Sequence, residues 1–178
     1  QSERPTGALA EGGGTAKDIE SAALACLQAV PKDRALHSVT LVYHLDPQLS
    51  PVAAERFRST ATWALPYYSS FFTRLKAPAT LHVIVPLSSS WCGKEVAQFD
   101  YGDPTAKETA ASYLCGQDGG ANAGHADMPN TAFVVVRPPK DDVPAFKSGG
   151  PASTEAFFYS LLAAEMGHAS RGLLMASL

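Results

Sequence analysis

The chain has 178 residues, with 14 Lys and Arg against 17 Asp and Glu, which gives a formal net charge of -3. A slightly negative protein does not attract the phosphate backbone electrostatically, so nucleic acid is not an expected partner. The longest apolar stretches, residues 81–87 and 131–136, fall far short of the roughly 20 residues that span a bilayer, and no transmembrane segment is predicted.

The first part of the chain predicts a flexible leader over residues 1–14, which are polar and end in three glycines. Residues 15–178 are long enough to form a single globular domain with its own core. Apolar residues recur at helical spacing over residues 15–30, and Cys26 lies on that apolar stripe as a small buried hydrophobe. The chain begins at Gln1 rather than Met, so it is either a processed mature form, as expected of a secreted or extracytoplasmic protein, or a trimmed chain.

The next segments predict a strand, a helix and a second strand. Every second residue over 39–45 is Val, Leu or Tyr, which predicts a strand, and Asp46 and Pro47 end it. Ser50 and Pro51 begin a long helix, with an apolar face that reaches Leu75 and a break at Pro66. Residues 80–87 are nearly all apolar, which predicts a central strand covered on both faces.

Residues 88–130 are rich in Gly, Ser and Asp, and we expect a long irregular region with one short helix over 104–114. Cys92 and Cys115 bracket this region. Their placement suits a disulfide in an oxidising compartment, but three cysteines is an odd number, which argues equally for reduced thiols.

The last segments predict a third strand over 131–137 and, after a Pro- and Gly-rich connector, a final helix capped by Ser153 or Thr154. The order of elements favours an α/β (α+β) fold. We expect a small mixed sheet of three or four strands packed by about three helices.

The final helix contains the segment Leu-Leu-Ala-Ala-Glu-Met-Gly-His-Ala over residues 161–169. It resembles the active-site helix of zincin metallopeptidases, whose His-Glu-x-x-His motif grips zinc with two histidines on one helix face. Glu165 matches the general base of that motif and His168 its second metal ligand. The resemblance implies a fold similar to the zincin N-terminal subdomain over residues 50–172.

The segment departs from the zincin pattern at the first histidine, because Ala164 holds that place and offers no lone pair. Residues 169–178 contain no His, Asp, Glu or Cys that would supply a third ligand. The resemblance therefore implies a pseudoenzyme or a piece of a larger peptidase. Without that resemblance, the spacing alone predicts that Glu165 and His168 form an i, i+3 hydrogen-bonded pair at the edge of the core.

Two further histidines lie in predicted strands. His44 closes the first strand and His82 lies inside the second, and a metal site is possible if they converge with His168. The alternative is that each is a core histidine satisfied by a backbone carbonyl.

The region 88–130 offers three other interpretations. Oxygen and nitrogen ligands over residues 116–127 suit either a calcium loop or a solvated turn, and they comprise Asp118, Asn122, His125 and Asp127. Three serines, Ser88, Ser89 and Ser90, would need His125 and Asp127 for nucleophilic hydrolysis. A ligand-binding surface would use Trp91, Tyr101, His125 and Asp127.

From these residues we expect a non-catalytic, zincin-like, extracytoplasmic domain that binds a protein or small ligand through the loops of residues 88–130, without a cofactor. One alternative is a zinc-dependent hydrolase that uses Glu165 and His168 with His44 or His82. A second alternative is a structural surface module.

Overall fold

A computed structural model describes residues 39–68, 75, 77–100, 102–125 and 128–177, without the side chains of residues 124, 125 and 177. All of these residues belong to one compact unit, Arg34–Leu178. The predicted leader over 1–14, the predicted helix over 15–30 and Cys26 lie outside the described residues. No helix in the described ranges is long and apolar enough to cross a membrane.

The described chain forms a four-stranded mixed sheet. The strands are β1 (Val39–Leu45), β2 (Ala79–Val85), β3 (Gly119–His125) and β4 (Met128–Val136). Their order is β1-β2-β4-β3, in which β1, β2 and β4 are parallel and β3 runs antiparallel to β4. The predicted central position of β2 is confirmed, because a run of apolar residues suits a strand that helices cover on both faces.

Five α-helices pack against this sheet in the described residues. They are α1 (Pro51–Ala64), α2 (Ser89–Ala97), α3 (Pro104–Cys115), α4 (Val143–Ser148) and α5 (Glu155–Ser177). The predicted α/β class and mixed sheet are confirmed, whereas the expected number of about three helices is too low. The helices α2 and α4 have only 9 and 6 residues, too few for a helical period to be recognised in the sequence.

The start and the end of α1 follow local signals. Ser50 caps the helix, because its Oγ accepts a hydrogen bond of 3.1 Å from the backbone N–H of Ala53. The helix ends at Ala64, and a 3-10 turn over Leu65–Tyr68 contains Pro66. The predicted break at Pro66 is confirmed, since proline removes a backbone donor and clashes with the preceding helical turn.

The prediction of a mainly irregular region over residues 88–130 is wrong, because α2, α3 and β3 occupy most of it. The predicted helix over 104–114 is confirmed as α3, which Asp103 caps by accepting from the N–H of Thr105 at 2.9 Å. A disulfide between Cys92 and Cys115 joins α2 to α3. The two helices are short and are joined by the disulfide, so few of their residues show a helical period. The sequence of this region therefore looks irregular.

Two apolar layers enclose the sheet. On the face that we call the front face, α1, α4 and α5 cover the sheet with Phe57, Phe146 and Phe158 among the buried residues. On the back face, α2 and α3 cover Ile84, Phe133 and Val135 with Cys92, Val96 and Leu114. Each large side chain buried in these layers stabilises the fold by roughly 1.5–3 kcal/mol.

Candidate functional site

The zincin-like segment lies on α5, which runs along the front face of β3. Leu161 fills the space beside Gly119, where a Cβ would lie 2.7 Å from Leu161 Cδ2. Near the other end of β3, a Cβ at Gly172 would lie 2.8 Å from the Cβ of Ala123. Positions 161, 165, 168 and 172 form one helical stripe, so Glu165 and His168 lie along β3 between these two contacts.

Glu165 and His168 contact each other as the i, i+3 spacing predicts. His168 Nδ1 lies 3.4 Å from Glu165 Oε2, which is long for a hydrogen bond. The side chain of Glu165 is 13% exposed and that of His168 is 74% exposed. Ala164, which replaces the first zincin histidine, is exposed as well. The stripe therefore presents one carboxylate at the surface of the core and one imidazole in solvent.

Tyr68 closes the other side of α5. Its hydroxyl donates a hydrogen bond of 2.6 Å to the backbone carbonyl of Ala163. Its ring fills the side-chain space of Gly167, where a Cβ would lie 2.8 Å from Tyr68 Cε1. Burial raises the pKa of Tyr68, and the nearby Tyr67 raises it further, so the phenol stays a proton donor at neutral pH.

The three histidines that would form a metal site if they converged lie apart in the structure. His44 and His82 lie on the back face, where their rings contact Phe99 and His82 also stacks on Phe133. His168 lies on α5, whose buried residues pack on the front face. The hypothesis of a metal site that joins His168 to His44 or His82 is wrong, because the sheet separates them.

His44 and His82 instead form a chain of polar contacts with Glu95, a residue that sequence reasoning missed. The two rings are hydrogen-bonded, and His44 makes an ion-pair contact with the carboxylate. His44 Nε2 lies 3.0 Å from His82 Nδ1, and His44 Nδ1 lies 3.3 Å from Glu95 Oε2. The alternation of β1 and β2 places both histidines on one face, and this signal is present in the sequence. The contribution of Glu95 has no sequence signal, because it depends on how α2 docks.

The described residues do not fit a catalytic zinc centre. No group of three His, Cys, Asp or Glu among them is close enough to hold a metal ion. Both ring nitrogens of His44 are already engaged, and α5 supplies only Glu165 and His168. A catalytic zinc site needs three protein ligands and an open position, so the zinc-dependent alternative lacks its ligand set in this part of the chain.

The three serines considered as nucleophiles lie at the start of α2, where Ser88 and Ser89 make structural hydrogen bonds. Ser88 Oγ caps α2 by accepting from the N–H of Trp91 at 3.2 Å, and it lies 3.2 Å from Ser90 Oγ. Ser89 Oγ accepts a short hydrogen bond from Arg137. The base and its orienter, His125 and Asp127, lie outside the described side chains, so the hydrolase interpretation stays a prediction.

The prediction that residues 116–127 form a loop or turn, with or without calcium, is wrong. Gly119–His125 is a strand paired with β4. Asp118 uses its backbone carbonyl to accept from the N–H of Arg137 at 2.6 Å. Of the predicted ligand-binding surface, Trp91 is partly buried and packs against the back-face core. Tyr101, Asp127 and the side chain of His125 lie outside the described part of the chain.

The outer edge of β3 is the remaining feature of this site. The bond from Arg137 to Asp118 identifies a hydrogen-bonded pair, and in an antiparallel ladder such pairs recur at every second residue. Residues Gly120 and Asn122 therefore bond to β4, while the N–H and C=O groups of Gly119 and Ala121 point outward. In the described ranges, β3 is the terminal strand of the sheet on this side.

No family model, curated protein or solved structure matched this chain.

Proposed function

We propose that this chain is a zincin-like, extracytoplasmic domain that holds no catalytic metal and binds an extended polypeptide segment along the outer edge of β3. The observation that carries this proposal is the seven-residue terminal strand Gly119–His125, whose outward backbone groups face no other described strand. Such an edge is a template for pairing with another chain.

The composition of β3 favours this role. The strand reads Gly-Gly-Ala-Asn-Ala-Gly-His, so small side chains leave its edge accessible to a second backbone. Charged side chains and proline, which commonly protect a sheet edge from pairing, do not occur in residues 119–124. Glu165 and His168 lie beside this strand and would contact side chains of the added segment, which supports selective recognition.

The donor set of α5 supports binding rather than catalysis. In the zincin resemblance, Glu165 would act on a zinc-bound water, but α5 carries a single histidine and an alanine at position 164. The disulfide between Cys92 and Cys115 is consistent with an oxidising, extracytoplasmic compartment. The partner would then be a secreted or surface-exposed protein with an extended segment.

The test uses a pair of variants at one edge position. Peptides are selected from a random phage-displayed library on the full chain, and their dissociation constants are measured by fluorescence anisotropy. Ala121→Pro removes the outward N–H and leaves the β3–β4 bonds, so we expect binding to weaken at least tenfold. Ala121→Ser changes the side chain but keeps the N–H, so its affinity should match that of the wild type.

Circular dichroism checks that both variants keep the wild-type secondary structure and thermal midpoint to within a few degrees. Equal peptide affinity for the folded Ala121→Pro variant and the wild type would refute binding at the β3 edge. Metal content is measured separately by mass spectrometry after purification without chelators. Stoichiometric zinc together with peptide cleavage would replace the proposal with the hydrolase alternative.

A further inference from the structure

The chain of Glu95, His44 and His82 has a defined arrangement of protons. A carboxylate has only acceptor atoms, so His44 presents a protonated Nδ1 to Glu95 Oε2, which lies 3.3 Å away. In neutral His44 the Nε2 atom is then an acceptor, and the proton in that hydrogen bond comes from His82 Nδ1. When both histidines are neutral, the hydrogen bond between the rings and the contact with Glu95 each join one proton-bearing nitrogen to one acceptor.

The chain accommodates one added proton but not two. A proton on His44 Nε2 turns that atom into a donor, and His82 accepts at Nδ1 after moving its own proton to Nε2. The resulting imidazolium is balanced by the carboxylate of Glu95. A second proton makes donors of both His44 Nε2 and His82 Nδ1, which then face each other 3.0 Å apart with like charges.

The surroundings of His82 make the second proton unfavourable. The ring of Phe99 lies 4.4 Å from the His82 ring and that of Phe133 lies 5.2 Å away, measured between centroids. Burial, and then the charge of His44, lower the pKa of His82 to about 4.

The charged groups near this chain are few in the described residues. The element α2 contributes Glu95, and β1 contributes His44, while β4 contributes the uncharged ring of Phe133. Next to Phe99, Asp100 pairs with Lys107 at 4.0 Å, and on α2 the side chain of Lys94 is exposed. Glu95 is therefore the group that balances positive charge on the two histidines.

We propose that the chain of Glu95, His44 and His82 is an acid-sensitive latch, which holds α2 and α3 on the back face and releases them when His82 takes up a proton. Glu95 lies on α2, and the disulfide from Cys92 to Cys115 ties α2 to α3. The loss of one anchoring contact is thereby transmitted to the pair of helices. This inference does not depend on the proposed binding of a peptide at β3.

The direction of the pH effect follows from linkage. An opened state restores His82 to its ordinary pKa of 6.5, whereas the closed state binds the proton only near pH 4. Between these values the open state binds more protons, so opening is favoured as the pH falls, by up to about tenfold per pH unit. The closed state is most populated above pH 6.5.

The test is hydrogen–deuterium exchange of the full chain at pH 7.0 and pH 4.5, corrected for the intrinsic exchange rates. In the wild type we expect opening of Ser89–Ala97 to increase at least tenfold at pH 4.5, with little change in β2 and β4. His82→Asn keeps a donor near the Nδ1 position and does not titrate, so opening should not change with pH. His168→Asn replaces an exposed histidine on α5, away from the back face, and should behave like the wild type.

A second variant covers the case in which His82→Asn does not fold. Glu95→Gln, a substitution at the surface of α2, keeps an acceptor for His44 but removes the charge that balances an added proton. Opening of Ser89–Ala97 should therefore match the wild type at pH 7.0 and exceed it at pH 4.5. An equal pH effect in His82→Asn and the wild type would overturn the latch, and so would wild-type opening of Glu95→Gln at pH 4.5. Loss of protection in β2 and β4 by the same factor would indicate global unfolding and would also overturn it.

Discussion

At the scale of single residues, three glycines determine how closely α5 approaches its neighbours. Gly119 and Gly172 allow contact between the helix and β3, and Gly167 accepts the ring of Tyr68. Interiors are close-packed, so one added methyl group at such a point must displace a neighbour. The rigid ring of Tyr68 cannot move aside easily, because its hydroxyl is bonded to Ala163.

Gly167→Ala and Gly93→Ala separate this steric effect from helix propensity. Both glycines lie within helices, but a Cβ at Gly93 would meet no atom within 4 Å. Gly93→Ala should raise the free energy of unfolding by about 0.5–1 kcal/mol. Gly167→Ala should lower it by roughly 1–2 kcal/mol, because overpacking exceeds the propensity gain. Urea unfolding measures both, and a stabilised Gly167→Ala variant would show that Tyr68 relaxes.

At the scale of elements, Asp142 joins α4 to the start of α5. It is 6% exposed and accepts hydrogen bonds from Ser153 Oγ at 2.9 Å and from the backbone N–H of Thr154 at 3.2 Å. A short bond from Thr154 Oγ1 completes the set. The two residues predicted as caps of the last helix thus donate their hydroxyl protons to Asp142, which holds the connector in place.

Asp142→Asn tests this junction and its pH dependence. The hydrogen bonds, led by that of Thr154, lower the pKa of Asp142 below its usual value of 3.8. The stabilisation is therefore present above pH 3.8 and is lost as the pH falls through the lower, folded-state value. We expect the variant to melt several degrees below the wild type at pH 7, with a smaller difference at pH 3.

The exposed neighbour Asp141 supplies the control for this experiment, because Asp141→Asn removes the same charge one residue away. Its melting temperature at pH 7, followed by circular dichroism, should stay within a degree or two of the wild type. If both variants melt together, net charge rather than the hydrogen bonds of Asp142 accounts for the effect.

At the scale of the whole molecule, the fold is a sheet between two apolar layers, and the layers are held differently. The front layer rests mainly on two long helices, of 14 and 23 residues, whose rings of Phe57 and Tyr159 pack together. The back layer rests on two shorter helices that a disulfide joins across 23 residues of sequence. We therefore expect the back layer to depend more on its covalent link than the front layer does.

Removing the link measures that dependence. The variant Cys92→Ala with Cys115→Ala frees the unfolded chain from a loop of this length, so its free energy of unfolding should fall by about 2–4 kcal/mol. Urea unfolding followed by circular dichroism gives the value, and the wild type unfolded in reductant is the reference. An unchanged midpoint would mean that apolar packing alone holds α2 and α3 in place.

Much of the fold was predictable from short-range patterns. Alternation and apolar runs located β1, β2 and β4, and Ser50, Pro51 and Pro66 set the bounds of α1. The i, i+3 pair of Glu165 and His168 was also predictable, because both lie on one helix. These features depend on residues within a few positions of one another, so the sequence alone determined them.

Other features depended on contacts between distant segments. The strand β3 has no β-branched residue and therefore a weak intrinsic propensity for strand. It forms because its backbone pairs with β4 and its residues pack against α5. Glu95 joins His44 and His82 only after α2 docks, and the sheet keeps both histidines away from His168. Only the tertiary structure decided these, because spacing along a chain does not specify which face of a sheet a helix will cover.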